Sequence, residues 1–180
     1  MSNKTFASRF FRSTLLGALL FVGAAHASLT ANGSASAEVT ENPLSVASTS
    51  ETLVFGKFSP GAGGDITIDP DQTHSTRRTA DSNLTFDNSV TPTAAKFTVT
   101  GDAARTYTIN VPTGFIQLTS GTHSMQADGF TSDKATGQIH GAAGTGSNTD
   151  DFYVGATLHV NPAQEGGVYS GAFDVTVAYN

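Results

Sequence analysis

The feature that most constrains this chain is a strict two-residue alternation of apolar and polar side chains, repeated in three separate stretches. Over residues 106–111, Tyr107, Ile109 and Val111 fall on one side and Thr106, Thr108 and Asn110 on the other. Residues 152–160 set Phe152, Val154, Ala156, Leu158 and Val160 against Tyr153, Thr157 and His159. The closing stretch sets Tyr169, Phe173, Val175, Val177 and Tyr179 against Ser170, Asp174, Thr176 and Asn180. A period of two matches the pleat of a strand, whereas a helix repeats every 3.6 residues. Each stretch is therefore expected to be a strand with one face in a core and one in water. Shorter candidates lie at 53–58, 65–68, 83–86, 95–100, 115–118 and 124–130.

Turn chemistry falls between them. Pro60-Gly61-Ala62-Gly63-Gly64, Pro112-Thr113-Gly114, Ser120-Gly121 and Pro162 to Gly167 break the pattern where a chain must reverse. Short strands at this spacing predict an all-β fold, a single antiparallel immunoglobulin-like β-sandwich. The polar stretch 137–150 is expected to be a surface loop. The expected division is a cleaved signal peptide over 1–27, an N-terminal strand or extension over 28–50 and a sandwich domain over 51–180.

The leader rests on three features. Lys4, Arg9 and Arg12 precede an apolar run over 14–25, and Ala25-His26-Ala27 offers the small-x-small pattern of a cleavage site. A spanning helix needs about 20 apolar residues, so this run is short for an anchor. Export to the periplasm, cell surface or medium is expected, with no membrane span after cleavage. The leader holds three of the nine Lys and Arg and none of the fifteen Asp and Glu. Six basic groups against fifteen acidic ones leave the mature chain at −9. Such a surface repels phosphate backbones, so nucleic acid is not an expected partner. The absence of cysteine excludes thiol catalysis and cysteine metal sites.

Two features stand at the ends of the mature chain. The closing strand, expected to supply much of the core through Tyr169, Phe173, Val175, Val177 and Tyr179, has nothing after it in the sequence to pair with its outer edge. An open, apolar edge invites another strand. The second feature is a candidate strand-addition segment, in which Leu29, Ala31, Gly33, Ala35, Ala37 and Val39 are apolar or small and every residue between them is polar. Its eleven residues reach roughly 36 Å when extended. Three readings are open: an unstructured Ala/Ser-rich leader, the first strand of its own domain, or a strand that completes a neighbouring subunit by β-augmentation.

Particular residues also carry a resemblance. The run Pro43-Leu44-Ser45, then Leu53-x-Phe55-Gly56-x-Phe58 with Gly61-x-Gly63-Gly64, resembles a bacterial secreted family of unknown function. So do Phe97-x-Val99-x-Gly101, Tyr107-x-Ile109-x-Val111-Pro112 and the ending Gly167-x-Tyr169-x-Gly171-x-Phe173-x-Val175-x-Val177-x-Tyr179-Asn180. The resemblance covers about residues 35–180 and implies an exported β-sandwich. The Phe-Gly element and the ending are also similar to spore-coat-U-like and archaic chaperone–usher pilin subunits. In that group subunits lack a final strand and complete one another with N-terminal extensions. This chain lacks the cysteines many of them carry, and its N-terminal segment is poor in large side chains.

Candidate chemistry is sparse. Asp65, Asp69 and Asp71 form the densest carboxylate group, but without the ligand spacing of a calcium loop. Asp150-Asp151 reads as a solvated strand entry. His74, His123, His140 and His159 are scattered with no paired spacing for zinc. No serine sits in a nucleophile elbow, and the glycines at 61–64 lack the lysine of a phosphate loop. Arg77-Arg78 is a lone basic pair. No catalytic residue, metal or cofactor is expected, and the chain is not expected to be an enzyme. The expected role is a non-catalytic exported structural protein, pilin-like or a cell-surface or matrix subunit, with self-association or surface-assembly partners. The alternatives are a secreted surface-glycan binding module using loops such as 131–151, and, less favoured, a secreted enzyme.

Overall fold

A computed structural model describes residues 34–39, 42–71, 78–140 and 148–180. The leader, Leu29, Ala31, Gly33, His74 and Arg77 lie outside the described residues. Contacts divide the chain into two units, Met1–Glu38 and Val39–Asn180. The second unit is an all-β, antiparallel, immunoglobulin-like sandwich whose sheet curls toward a half-barrel.

Its strands are β1 (Ser45–Ser48), β2 (Lys57–Ser59), β3 (Gly64–Ile68), β4 (Arg78–Ala80), β5 (Thr85–Asp87) and β6 (Ala95–Gly101). They continue with β7 (Thr106–Asn110), β8 (Ile116–Ser120), β9 (His123–Ser132), β10 (Thr136–Gln138), β11 (Asn148–Val160) and β12 (Thr176–Tyr179). The spine is β11, whose thirteen residues serve two partners on one edge: β6 beside its first half and β3 beside its second. On its other edge β9 pairs with the second half, and His140 bridges to Thr149 in the first. From His140 the chain leads back through β10 to β7, and β7 pairs with β12. Strands β2 and β5 form a small separate ribbon.

The alternation read from the sequence sets the inward face. Phe152, Val154, Ala156, Leu158 and Val160 are all buried, joined by Ile66, Val99, Tyr107, Ala127 and Ile139 at 0–1% exposure. A bulge lets β9 follow the curl of β11: Gly129 and Phe130 together oppose Ala156, and Gly129 takes φ 59°, a left-handed value that suits glycine.

The structure departs from the sequence reading in several places. The sheet begins at Ser45, because β1 pairs with β6, so part of the stretch assigned to an N-terminal strand or extension is a strand of the sheet. The expected loop over 137–150 contains part of β10 and the start of β11. Tyr153, on the polar side by alternation, is 7% exposed, and the Lys96 ammonium lies over its ring at 5.9 Å. The closing stretch is not one continuous strand. It ladders with β7 only over Thr176–Tyr179 and touches β8 by a single bridge, Thr119 to Ser170. Tyr169, Phe173, Val175, Val177 and Tyr179 do face the core cluster, but all five are only half-buried. The fully buried core comes from β3, β6, β7, β9 and β11 instead.

Candidate functional site

The half-burial of the closing stretch has a geometric cause. Strands β1, β6, β11, β10, β7 and β12 form a circuit joined by ladders and the His140 bridge. Among the described residues one joint, between β12 and β1, has no ladder. The backbone of residues 171–175 has no hydrogen-bond partner on either side among the described residues. Across the gap, Val54 exchanges both hydrogen bonds with Thr93, at 2.8 and 3.0 Å. By strand alternation the backbone groups of Leu53 and Phe55 point the opposite way, toward the gap.

Two open depressions mark the joint. One, of about 420 Å³, is lined by Leu53, Phe55, Phe58, Val90, Val168 and Tyr169. The other, of about 440 Å³, is lined by Val46, Leu53, Phe55, Phe97, Phe173 and Val175. Leu53, Phe55 and Leu118 line both, so the two form one apolar groove. Phe97 and Phe173 line it and pack against the rings of Phe130 and Phe152. Phe173 lies 6.0 Å from Phe97 edge-on and 5.0 Å from Phe130, and Phe97 stacks on Phe152 at 5.3 Å. Val168, 89% exposed, stands at the mouth.

A set of hydrogen bonds joins the chain before β1 to the end of β12. The Tyr179 hydroxyl donates to the Asn42 carbonyl at 3.2 Å and accepts from the Asp102 N–H at 2.7 Å. Asp102 Oδ1 in turn accepts from the Asn42 N–H at 3.1 Å and from Asn42 Nδ2 at 2.7 Å. The Arg105 guanidinium lies 4.5 Å from the Tyr179 ring. These contacts tie the start of the domain to its last strand.

Two polar clusters lie elsewhere. Asp150, expected at a solvated strand entry, is 8% exposed. It accepts from the Tyr107 hydroxyl at 2.8 Å and from Lys134 Nζ at 2.9 Å on each oxygen. Burial first, and the Asp150 carboxylate second, push the Tyr107 phenol far above its ordinary pKa. Asp150 shares the inward side of β11 with Phe152, and Tyr107 and Lys134 meet it there. On the outer face, His159 sits between Asp128, 2.8 Å from Nε2, and Asp65, 2.7 Å from Nδ1. Hydrogen bonding to Asp128, then to Asp65, raises the imidazole pKa above its ordinary value.

Of the candidate segment, Ala35, Ala37 and Val39 are exposed and belong to no strand, while Leu29, Ala31 and Gly33 lie outside the described residues. Asp65 turns to His159, separately from Asp69 and Asp71. In the loop region proposed for glycans, Lys134 is engaged by Asp150, and Asp133 accepts the Tyr153 N–H at 2.9 Å. Among the described residues no group of three or more His, Asp or Glu is placed to hold a metal ion. Sequence reasoning missed Lys134, Tyr107, Asn42 and Asp102 because their partners lie 16 to 137 positions away, beyond any local pattern.

The family of proteins defined as a domain of unknown function, DUF4402, matches residues 44–179. The chain belongs to this family. The DUF4402 domain thus begins at the foot of β1 and ends on Tyr179, enclosing the groove and both polar clusters. Among curated proteins and solved structures, nothing matches. Among the described residues no helix is long and apolar enough to cross a membrane.

Proposed function

We propose that this protein is a non-catalytic, exported structural subunit that associates with its own kind at the cell surface or in an extracellular matrix. The observation that carries the reading is the unladdered joint between β12 and β1. It exposes half-buried aromatic and aliphatic side chains together with backbone groups that no described residue satisfies. An apolar strand edge of this kind is an aggregation hazard unless a partner covers it. Each ladder hydrogen bond formed there contributes roughly 0.5–1.5 kcal/mol net, so an added strand of five residues gains several kcal/mol before apolar burial is counted. The leader pattern at the N-terminus supports export, the compartment that surface assembly requires.

The test is the molar mass of the purified mature protein by light scattering across a hundredfold concentration range, with unheated gels alongside. Multimers that grow with concentration are expected. A strictly monomeric, stable protein over the whole range refutes the reading.

A further inference from the structure

We propose that Asn83 is a glycan-attachment site, taking an oligosaccharide from a lipid-linked diphosphate donor onto its side-chain amide during export. The inference rests on the export proposed above and adds a covalent site outside the lining of both depressions. Three observations lead to it.

The first is sequence. Asn83-Leu84-Thr85 has the Asn-x-Thr form of an acceptor for such transfer, in which the hydroxyl two residues on positions the amide. Asp81 stands two residues before the asparagine, giving Asp81-Ser82-Asn83-Leu84-Thr85, and its carboxylate offers the transferring enzyme an anionic handle. After the leader one other asparagine meets the short form, in Asn32-Gly33-Ser34, and there Thr30 stands in place of the acid.

The second is exposure. Ser82 and Asn83 form the tip of the turn between β4 and β5, and Asp81, Ser82, Asn83 and Thr85 are all exposed. A bulky hydrophilic chain at such a tip displaces no packed side chain.

The third is the way the turn is held. The Leu84 N–H donates to the Asp81 carbonyl at 3.2 Å, and the Leu84 side chain is buried. The Asp81 N–H donates to the Asp65 carbonyl at 3.1 Å, and Asp81 Oδ2 accepts from the Asp65 N–H at 3.0 Å. The Asn83 carbonyl packs on Gly61, where a Cβ would have no room. The backbone of the turn thus faces the domain, and the asparagine side chain faces water. An enzyme that surrounds the amide has its freest access before Leu84 docks, which places attachment during export and ahead of folding. In the transfer the bond from sugar C1 to the diphosphate oxygen breaks and a bond from C1 to Asn83 Nδ2 forms. The amide gives up one proton and the lipid diphosphate leaves, with no change of oxidation state.

The placement has a structural consequence. Strand β4 ends three residues earlier, at Ala80, and among the described residues it ladders only with β3. Bulk at Asn83 screens that edge from pairing with another chain, while the β12–β1 joint stays open.

The test is peptide mapping by mass spectrometry of the protein purified from the cells that naturally make it. The tryptic peptide over residues 79–96, which contains Asn83, is expected to carry a mass excess made of whole sugar residues. Asn83→Gln and Thr85→Val should abolish the excess and Thr85→Ser should keep it. Asp81→Ala should lower the occupied fraction, and Asp81→Glu should restore it. Sugar on the peptide holding Asn32 instead, or sugar that persists in Asn83→Gln, overturns the site. Equal occupancy in Asp81→Ala overturns the role of the carboxylate. A chain that has lost its leader and shows a bare 79–96 peptide refutes this inference alone, whereas a retained leader refutes the exported reading as well.

Discussion

Removing the Tyr107 hydroxyl, by Tyr107→Phe, isolates a single bond in the buried cluster. The ring is fully buried, so phenylalanine keeps its packing and leaves no polar atom of its own unsatisfied. What is lost is a 2.8 Å hydrogen bond to a carboxylate that is 8% exposed. Bonds to charged groups are worth about 1.5–3 kcal/mol, and Asp150 retains both contacts to Lys134. A loss of about 2 kcal/mol is expected, or about 4–8 °C in melting temperature for a chain of this size. Lys134→Met should cost more, about 3–5 kcal/mol, because it leaves a buried carboxylate without its cation. Urea unfolding of both single variants and the double variant gives the coupling, which should exceed about 0.5 kcal/mol because both groups serve one carboxylate. If Tyr107→Phe costs more than Lys134→Met, or if the two costs simply add, then Asp150 is not the shared centre described here.

Two further outcomes follow from the same geometry. Gly137→Ala places a methyl group against the Tyr107 hydroxyl and within 2.5 Å of Asp150 Oδ2, with no room on the fully buried ring to yield. A loss of about 1–3 kcal/mol is expected by denaturant unfolding, and Gly114→Ala, where a methyl group meets nothing within 4 Å, serves as the control. His159 gives a pH dependence. Because its folded pKa is raised, its contribution is full below the unfolded value of about 6.5 and is lost as pH rises through the folded value. The melting-temperature gap between the natural protein and His159→Gln should thus be widest at about pH 5–6 and shrink toward pH 9. The site is well exposed, so the gap should correspond to no more than about 1 kcal/mol. A gap that widens with rising pH contradicts the two-carboxylate clamp.

The sequence carried the fold where burial is one-sided. The inward set of β11 was legible residue by residue because alternation on a half-buried strand is a local signal. So was Tyr107-x-Ile109 on β7, which is buried as the pattern requires. The pattern misled at Tyr153, which is buried on the polar side, and at Asp150, which shares the inward side of β11 with Phe152 and keeps its polarity for the buried partner Tyr107 rather than for water. Short strands β1, β4 and β10 carry three or four residues each, too few for a period to register. The inward side of the closing stretch was legible from its alternation, since Tyr169, Phe173, Val175, Val177 and Tyr179 pack against the core cluster. What escaped the sequence was the groove beside it and the hydrogen bonds among Asn42, Asp102 and Tyr179. Those depend on contacts between positions 42, 102 and 179, which no local reading brings together.

The central claim is that the position between β12 and β1 stands open in one molecule and is filled by another. Amide hydrogen exchange of the mature protein, followed by peptides covering residues 171–175, measures this at the backbone. These amides should exchange rapidly in dilute monomer and become protected as concentration rises into the multimeric range, while β11 stays protected throughout. Exchange at residues 171–175 that is unchanged across that range, whether fast or slow, contradicts the account.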